Sequence, residues 1–181
     1  MSKKILRNKI LFYRKNNYKA ASLKYSLLKD ILKKFNLLKN KNIGGYFPIN
    51  YEIDSLKILT QLEKSGHKIS FPITRKGNKM DFFEWSSNEP LLIGKFGIPE
   101  PCSKKKVYPD ILLVPLVAFN KHKFRLGYGG GYYDRYISNF EDNDKMIKIG
   151  IGFSFQKVKS LPINKYDKKL DFIITEKGSF K

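Results

Sequence analysis

The sequence predicts an α/β fold of three layers, in which helices cover both faces of a mostly parallel central sheet. Segments with apolar residues at three- and four-residue spacing alternate along the chain with short apolar runs. The run from Asp110 to Phe119 is almost continuously apolar, which is typical of a strand buried on both faces. We therefore expect one domain over residues 1–181, with this strand at the centre of its sheet.

The first half of the chain predicts three helices and three strands. The helices are expected from Lys4 to Arg14, from about Tyr18 to Leu38 and from Ile53 to Leu62, where Glu52 and Asp54 are acids suited to a helix start. Arg7 and Arg14 lie two turns apart on one face of the first helix. The strands are expected at Ile43 to Phe47, Ile69 to Ile73 and Met80 to Trp85, and a hairpin turn at residues 75–78 joins the last two.

The second half predicts an irregular segment followed by a helix and two further strands. The stretch from Gly94 to Val107 contains too much proline for a helix and is expected to form a rigid surface loop. Beyond the central strand we expect a helix from Tyr132 to Phe140, a strand from Lys148 to Phe153, and a last strand from Leu170 to Thr175.

The composition is strongly basic, with 36 Lys and Arg against 16 Asp and Glu and a net charge of +20. Such a charge suggests an anionic partner, and a non-enzymatic RNA-binding protein is one alternative. Bidentate recognition of phosphates favours arginine, however, and arginine occurs only at positions 7, 14, 75, 125 and 135. The scattered lysines are typical of solvated faces, so we expect no specific nucleic-acid partner.

The remaining composition indicates a cytoplasmic protein. No apolar run approaches the roughly 20 residues needed to cross a bilayer, and no uncharged stretch near the N-terminus resembles a signal peptide. Cys102 is the single cysteine, which agrees with a reducing compartment. We expect a monomer with no membrane contact.

A glycine-rich turn is the most informative local motif. It reads Arg125-Leu126-Gly127-Tyr128-Gly129-Gly130-Gly131-Tyr132-Tyr133-Asp134-Arg135 and lies between a buried strand and a helix. Glycines in this position let backbone N–H groups approach an anion, which predicts a site for nucleotide phosphates. The spacing matches neither a Walker A loop nor a dinucleotide fingerprint. The alternative is a tight turn that uses glycine only for its positive φ angles.

Charged residues on both sides of the turn favour the phosphate interpretation. Arg125 and Arg135 would add positive charge, and the Asp134 carboxylate could hold Mg²⁺ against bound phosphates. The alternatives are that Asp134 only interacts with the helix dipole and that Arg135 is a solvated helix charge.

Several ordered motifs make the chain resemble the 5-formyltetrahydrofolate cyclo-ligase family over nearly its whole length. The glycine motif ending in Tyr-Tyr-Asp-Arg is the most specific of them. The others are Lys3-Lys4-Ile5-Leu6-Arg7, Tyr46-Phe47-Pro48, Glu52-Ile53-Asp54-Ser55, Phe71-Pro72, Gly97-Ile98-Pro99-Glu100-Pro101, residues 110–115, residues 150–153, Gln156, Leu161-Pro162, Asp167 and Asp171.

The resemblance implies an enzyme that uses ATP, with Mg²⁺, to convert the reduced folate 5-formyltetrahydrofolate to 5,10-methenyltetrahydrofolate. It implies that ATP is bound by the N-terminal cluster and the glycine motif, namely Lys3, Lys4, Ile5, Leu6, Arg7, Arg125, Leu126, Gly127, Tyr128, Gly129, Gly130, Gly131, Tyr132 and Tyr133. Phe47 and Glu52 match folate-contacting positions, and residues 128–132 are expected to touch both ligands. Asp134 is the first magnesium candidate and Asp167 the second, and the catalytic residues are expected to be Arg125 and Asp134.

Two positions depart from the family pattern. Tyr128 occupies a loop position that is often basic in the family, which puts one phosphate contact in doubt, and Ser55 replaces a common threonine. A further alternative is a related protein that binds a sugar phosphate, because a fold does not by itself determine the chemistry.

Overall fold

A computed structural model describes residues 1–18, 23–140 and 146–180 of the chain. It contains four α-helices in the described ranges: α1 (Lys3–Asn16), α2 (Tyr25–Lys34), α3 (Leu56–Lys64) and α4 (Tyr132–Ser138). None of these helices is long and apolar enough to cross a membrane. The strands are β1 (Asn42–Gly44), β2 (Lys68–Thr74), β3 (Met80–Trp85), β4 (Leu91–Ile93), β5 (Pro99–Pro101), β6 (Lys106–Val107), β7 (Ile111–Pro115), β8 (Ala118–Phe119), β9 (Arg125–Leu126), β10 (Ile147–Ile151), β11 (Phe172–Thr175) and β12 (Gly178–Phe180).

The central sheet is mostly parallel, as the sequence predicts. Its eight strands follow the order β12-β11-β10-β7-β1-β2-β3-β6. The five inner strands from β11 to β2 run parallel, whereas β12, β3 and β6 pair antiparallel at the edges. The strand from the most apolar run of the sequence, β7, therefore lies in the interior of the sheet.

Side chains of β7 divide the core into two layers. Ile111 and Leu113 pack in a cluster with the buried faces of α2 and α3. Leu112 and Val114 point the other way and pack in a second cluster with Tyr136 of α4. All four side chains are fully buried, because successive residues of a strand face opposite sides of the sheet. This alternation confirms the three-layer αβα prediction.

Several predicted boundaries are wrong. The second helix is shorter than predicted within its described part, since it ends at Lys34 and Asn36 adopts a positive φ of 55°; the predicted residues 19–22 lie outside the described ranges. The third helix begins at Leu56, where Asp54 accepts a hydrogen bond from the backbone N–H, so Glu52 is not part of the helix start. The apolar run from Asp110 is divided between β7 and β8, which lies in a separate ribbon with β9.

The predicted surface loop and the predicted last strand also need correction. Within residues 94–107, β5 pairs with β4 in a two-stranded ribbon, and β6 joins the sheet edge. Proline is compatible with such edge positions because its missing N–H can face outward. The strand β11 is followed by β12, which pairs with it after a turn at Glu176 and Lys177.

We predict that Leu113→Ala lowers the free energy of unfolding by about 2–5 kcal/mol, because it leaves a cavity in the middle of the main core. The measurement is equilibrium denaturation followed by circular dichroism. Leu92→Ala is the matched control, since Leu92 is 60% exposed and its truncation should change stability by no more than about 0.5 kcal/mol. Equal effects of the two substitutions would contradict the assigned core.

Candidate active site

A cavity of about 860 Å³ opens at the carboxyl edge of the parallel strands. Phe47 follows β1, Thr74 ends β2 and Pro115 ends β7, and all three residues line the cavity. Ligands of open α/β sheets collect at this edge because the loops that follow parallel strands meet there. The topology of the sheet thus brings together segments that are far apart in the sequence.

Most of the residues predicted for the site line this one cavity. They are Lys3, Arg7, Phe47, Glu52, Arg125, Leu126, Gly127, Tyr128, Gly129, Gly130, Gly131, Tyr132, Tyr133, Asp134 and Asp167. Three predicted ATP contacts, Lys4, Ile5 and Leu6, are not among the lining residues. Leu6 is buried in a small apolar cluster, and Lys4 and Ile5 are exposed. The helix α1 begins at Lys3, so its turn carries only Lys3 and Arg7 to the cavity side.

The glycine loop is held in place by arginines that bind its carbonyl groups. Arg7 donates from Nε to the Gly127 carbonyl at 2.8 Å, and Arg135 donates to the Gly130 carbonyl. In a trans peptide the next N–H points opposite to the carbonyl, so these bonds orient the following amides away from the arginines. Gly129 and Gly131 have φ angles of 107° and 67°. The tight-turn alternative is therefore correct about backbone conformation, and the same loop also lines the cavity.

An ion pair between the buried Arg125 and the partly exposed Asp134 lies directly beside the loop. Arg125 is 7% exposed, and its Nη1 lies 3.1 Å from Oδ1 of Asp134. The backbone of Lys168 joins the pair, since its carbonyl accepts from Arg125 at 3.2 Å and its N–H donates to Asp134 at 3.0 Å. Burial lowers the pKa of Arg125, and the nearby Asp134 opposes that effect. Asp134 is consequently oriented by two donors.

The two predicted magnesium ligands both line the cavity, and each is paired with a cation. Lys3 places its ammonium group 2.7 Å from Oδ1 and 2.5 Å from Oδ2 of Asp167. Over the described ranges there is no group of three His, Cys, Asp or Glu side chains that would form a protein cage for a metal. Mg²⁺ is commonly held by one or two carboxylates together with substrate phosphates and water, and Asp134 and Asp167 fit that arrangement.

The opposite part of the cavity is formed by Phe47 and Glu52. Asn50 and Tyr51 form a turn with positive φ angles of 48° and 62°. The turn directs the Glu52 side chain back toward Ile49, whose N–H donates a hydrogen bond to Oε2 of Glu52 at 2.9 Å. The Glu52 side chain is thereby a buried cavity residue, and the helix-start interpretation of this acid is wrong. Burial raises its pKa from 4.5 to about 7, although hydrogen bonds from Ile49 and Tyr128 and the charge of Arg14 oppose the rise.

Tyr128 connects the two parts of the cavity. Its hydroxyl group donates to Oε1 of Glu52 at 2.8 Å and accepts from Arg14. The sequence shows only that this loop position lacks a basic side chain. The structure places the positive charge of Arg14 directly behind the tyrosine instead.

Sequence reasoning missed a third group of lining residues. They come from the end of β2, the start of β3, the β4–β5 ribbon and the segment before Asp167, and comprise Thr74, Met80, Phe96, Ile98, Glu100, Asn164 and Tyr166. The Gly97-Ile98-Pro99-Glu100-Pro101 motif was a signal for part of this group, but nothing local indicated that it faces the glycine loop.

A parallel sheet whose carboxyl edge carries a glycine loop, a buried arginine and two carboxylates in one cavity is the arrangement of an α/β enzyme. The model of the 5-formyltetrahydrofolate cyclo-ligase family matches residues 1–176. The chain belongs to this family.

Individual relatives agree with the family match. The chain is 34% identical over 134 residues to a 5-formyltetrahydrofolate cyclo-ligase of Haemophilus influenzae, covering 70% of this chain and 71% of the relative. A solved structure of Aquifex aeolicus 5,10-methenyltetrahydrofolate synthetase superposes with a TM-score of 0.75 at 30% identity, covering 100% of this chain and 93% of that one. A solved structure of a 5,10-methenyltetrahydrofolate synthetase from Mycoplasma pneumoniae superposes with a TM-score of 0.69 at 28% identity, covering 97% of this chain and 99% of that one.

We predict that Gly131→Ala costs about 1–2 kcal/mol of folding free energy, because Gly131 has a left-handed backbone conformation. An added Cβ would also lie 2.9 Å from the Arg135 guanidinium. Gly127→Ala is the control, since a Cβ there meets nothing within 4 Å. Thermal and urea unfolding of both variants measure the difference, and equal stability would contradict the loop conformation.

We predict that Glu52→Gln becomes more stabilising, relative to the native protein, as the pH rises. The folded-state pKa of Glu52 lies above its ordinary value, so its proton binding favours the folded state at low pH, and this contribution is lost between about 4.5 and 7. Between about pH 4.5 and pH 8 the stability difference should change by roughly 3 kcal/mol in favour of the variant, whose amide is uncharged. Urea unfolding of ligand-free protein at both pH values measures it, and a pH-independent difference would contradict the buried carboxyl.

Proposed function

We propose that the chain converts 5-formyltetrahydrofolate to 5,10-methenyltetrahydrofolate with consumption of ATP, in the presence of Mg²⁺, releasing ADP and phosphate. The observation that carries this proposal is that one cavity contains both a phosphate-type half and a second half lined by Phe47 and the buried Glu52. Its volume of about 860 Å³ is near the upper end of the usual range for small-molecule pockets, which suits two substrates.

The chemistry requires phosphate activation of the formyl group. A formamide carbonyl is a poor electrophile because its oxygen is a poor leaving group. Transfer of the γ-phosphoryl group to that oxygen gives an iminium phosphate and ADP. The N10 amine then attacks the formyl carbon and gives up its proton to the phosphate or to water, the C–O bond breaks, and inorganic phosphate leaves with the oxygen.

The residues around the glycine loop suit such a transfer, which depends on positioning and charge neutralisation. Arg7 and Arg125 supply positive charge close to the loop, and Lys3 adds a third cation. The Gly127–Gly131 backbone would contact the phosphates, while Asp134, held by Arg125 and the Lys168 N–H, would bind Mg²⁺ with Asp167 as the second carboxylate. When bound, the metal ion would neutralise phosphate charge during transfer.

The other half of the cavity suits a flat ring with several N–H groups. Glu52 offers carboxylate oxygens that can accept hydrogen bonds from the amino and ring N–H groups of a pterin. Phe47 supplies an apolar contact beside it, and Tyr128, Tyr132 and the glycines between them lie where both ligands would meet.

The direct test is an absorbance assay for 5,10-methenyltetrahydrofolate with 5-formyltetrahydrofolate, ATP and Mg²⁺. We predict turnover that requires all three components, and a fall of about 10²-fold or more in kcat/KM for Asp134→Asn and Arg125→Lys. These conservative changes are chosen because Arg125 is buried and its truncation would endanger folding.

The chain offers matched controls for both substitutions. Asp30→Asn on α2 and Arg75→Lys in the β2–β3 hairpin alter exposed residues outside the cavity and should leave kcat/KM unchanged. Absence of turnover in the native protein, together with RNA binding that weakens steeply with salt, would instead favour the RNA-binding alternative. The expected absence of a nucleic-acid partner, the monomeric state and the cytoplasmic location stay predictions.

A further inference from the structure

Arg14 is a buried arginine that does not line the cavity. It lies on α1 with 1% of its surface exposed, and none of the ion pairs among the described residues includes it. Its Nη1 lies 3.4 Å from the Leu116 carbonyl, and within the described ranges its Nε meets no hydrogen-bond acceptor. A buried guanidinium is costly unless a negative charge compensates it. The position of that compensating charge indicates what Arg14 does.

The compensating negative charge is the carboxylate of Glu52, to which Arg14 is linked through Tyr128. Arg14 donates from Nη2 to the Tyr128 hydroxyl group, and its guanidinium carbon lies 5.7 Å from the centre of the tyrosine ring. A guanidinium has only donors, so the tyrosine oxygen must be the acceptor of this bond. The single hydroxyl proton of Tyr128 is then directed to Glu52 Oε1 at 2.8 Å. Arg14 and Glu52 are therefore connected by two consecutive hydrogen bonds that share the Tyr128 hydroxyl group.

The hydrogen-bond directions favour the ionised form of Glu52. Oε1 accepts from Tyr128 and Oε2 accepts from the Ile49 N–H, so both oxygens act as acceptors. The other titratable groups that act on this site are the buried hydroxyl groups of Tyr46 and Tyr133, whose own pKa values are raised by burial and by the Glu52 charge. The positive charge of Arg14 lowers the pKa of Glu52 and so opposes the effect of burial.

We infer that Arg14 is a positioning residue which, through the hydroxyl group of Tyr128, stabilises the ionised form of Glu52 and aims it at the folate-binding half of the cavity. The inference rests on the proposed function for the identity of the ligand. It explains why a residue outside the cavity carries a buried charge, and why a tyrosine at position 128 remains useful where a basic side chain is absent. Arg14 thus acts on substrate recognition, whereas Arg7 and Arg125 act at the phosphate half.

The first test measures Glu52 without any substrate. Carboxyl ¹³C NMR of glutamate-labelled protein follows the titration of Glu52, whose signal is assigned by its loss in Glu52→Gln. We expect Tyr128→Phe and Arg14→Met to raise the pKa of Glu52 by about one pH unit or more, the size expected for removing a hydrogen bond or charge from a buried carboxylate. Arg14→Lys should retain most of the native value, and the exposed neighbour Lys15→Met should leave it unchanged.

The second test separates positioning from a general structural effect. At pH 7 the KM for 5-formyltetrahydrofolate should rise about fivefold or more in Tyr128→Phe and in Arg14→Met, because a pKa raised by one unit from about 7 lowers the ionised fraction of Glu52 by about that factor. The KM for ATP should stay within about twofold in Arg14→Met, since Arg14 does not line the cavity. In a Glu52→Gln background the same Tyr128→Phe change should add little, because the group on which it acts has been replaced. The rise in KM should also diminish at higher pH, where Glu52 ionises without assistance.

The outcomes distinguish this inference from the proposed function. A Glu52 titration that is unchanged in both Tyr128→Phe and Arg14→Met overturns the inference, even if the native enzyme turns over folate as proposed. A rise in KM of the same size that persists in the Glu52→Gln background also overturns it. If the native protein shows no turnover, the proposed function fails, while the shifted titration would still establish the effect of Arg14 on Glu52.

Discussion

The hydrogen bonds from arginine side chains to the glycine loop are the constraint on which the rest of the site depends. Glycines give the loop its required positive φ angles, but they also leave it many alternative conformations. Arg7 and Arg135 bind the carbonyls of Gly127 and Gly130, and thereby select one of these conformations. The selection ties α1 and α4 to the carboxyl edge of the sheet. A phosphate ligand would therefore meet a loop that is already ordered.

The two halves of the cavity differ in how their buried charges are compensated. In the half proposed to bind phosphates, cations and carboxylates are paired directly, as in Arg125 with Asp134, and this pairing compensates the charge of the buried arginine. In the half proposed to bind the folate, no cation among the described residues pairs directly with Glu52, and Arg14 lies behind Tyr128. This separation keeps the carboxylate oxygens of Glu52 available to a ligand with N–H donors.

Much of the fold could be predicted because hydrophobic periodicity is a local property. The continuous apolarity of residues 110–119 identified a strand of the sheet interior, and alternating element types identified the three layers. The predicted element boundaries were wrong where a single backbone feature ends an element. An example is α2, which ends at Lys34, two residues before the positive φ of Asn36. The paired β4 and β5 were missed because β4 has only three residues and β5 contains two prolines, so neither segment predicts a strand without its partner across the ribbon.

For the site, the sequence by itself determined the glycine loop, its flanking Arg125 and Asp134, and the family to which these motifs point. It also showed that the few arginines carry more information than the many lysines, and four of the five now contact or flank the glycine loop. Only the tertiary structure decided that Lys4, Ile5 and Leu6 lie outside the cavity, that Glu52 turns inward, and that Arg14 donates a hydrogen bond to Tyr128. The physical reason is that motif identity is encoded in consecutive residues, whereas burial, charge compensation and hydrogen-bond direction depend on partners more than seventy positions away.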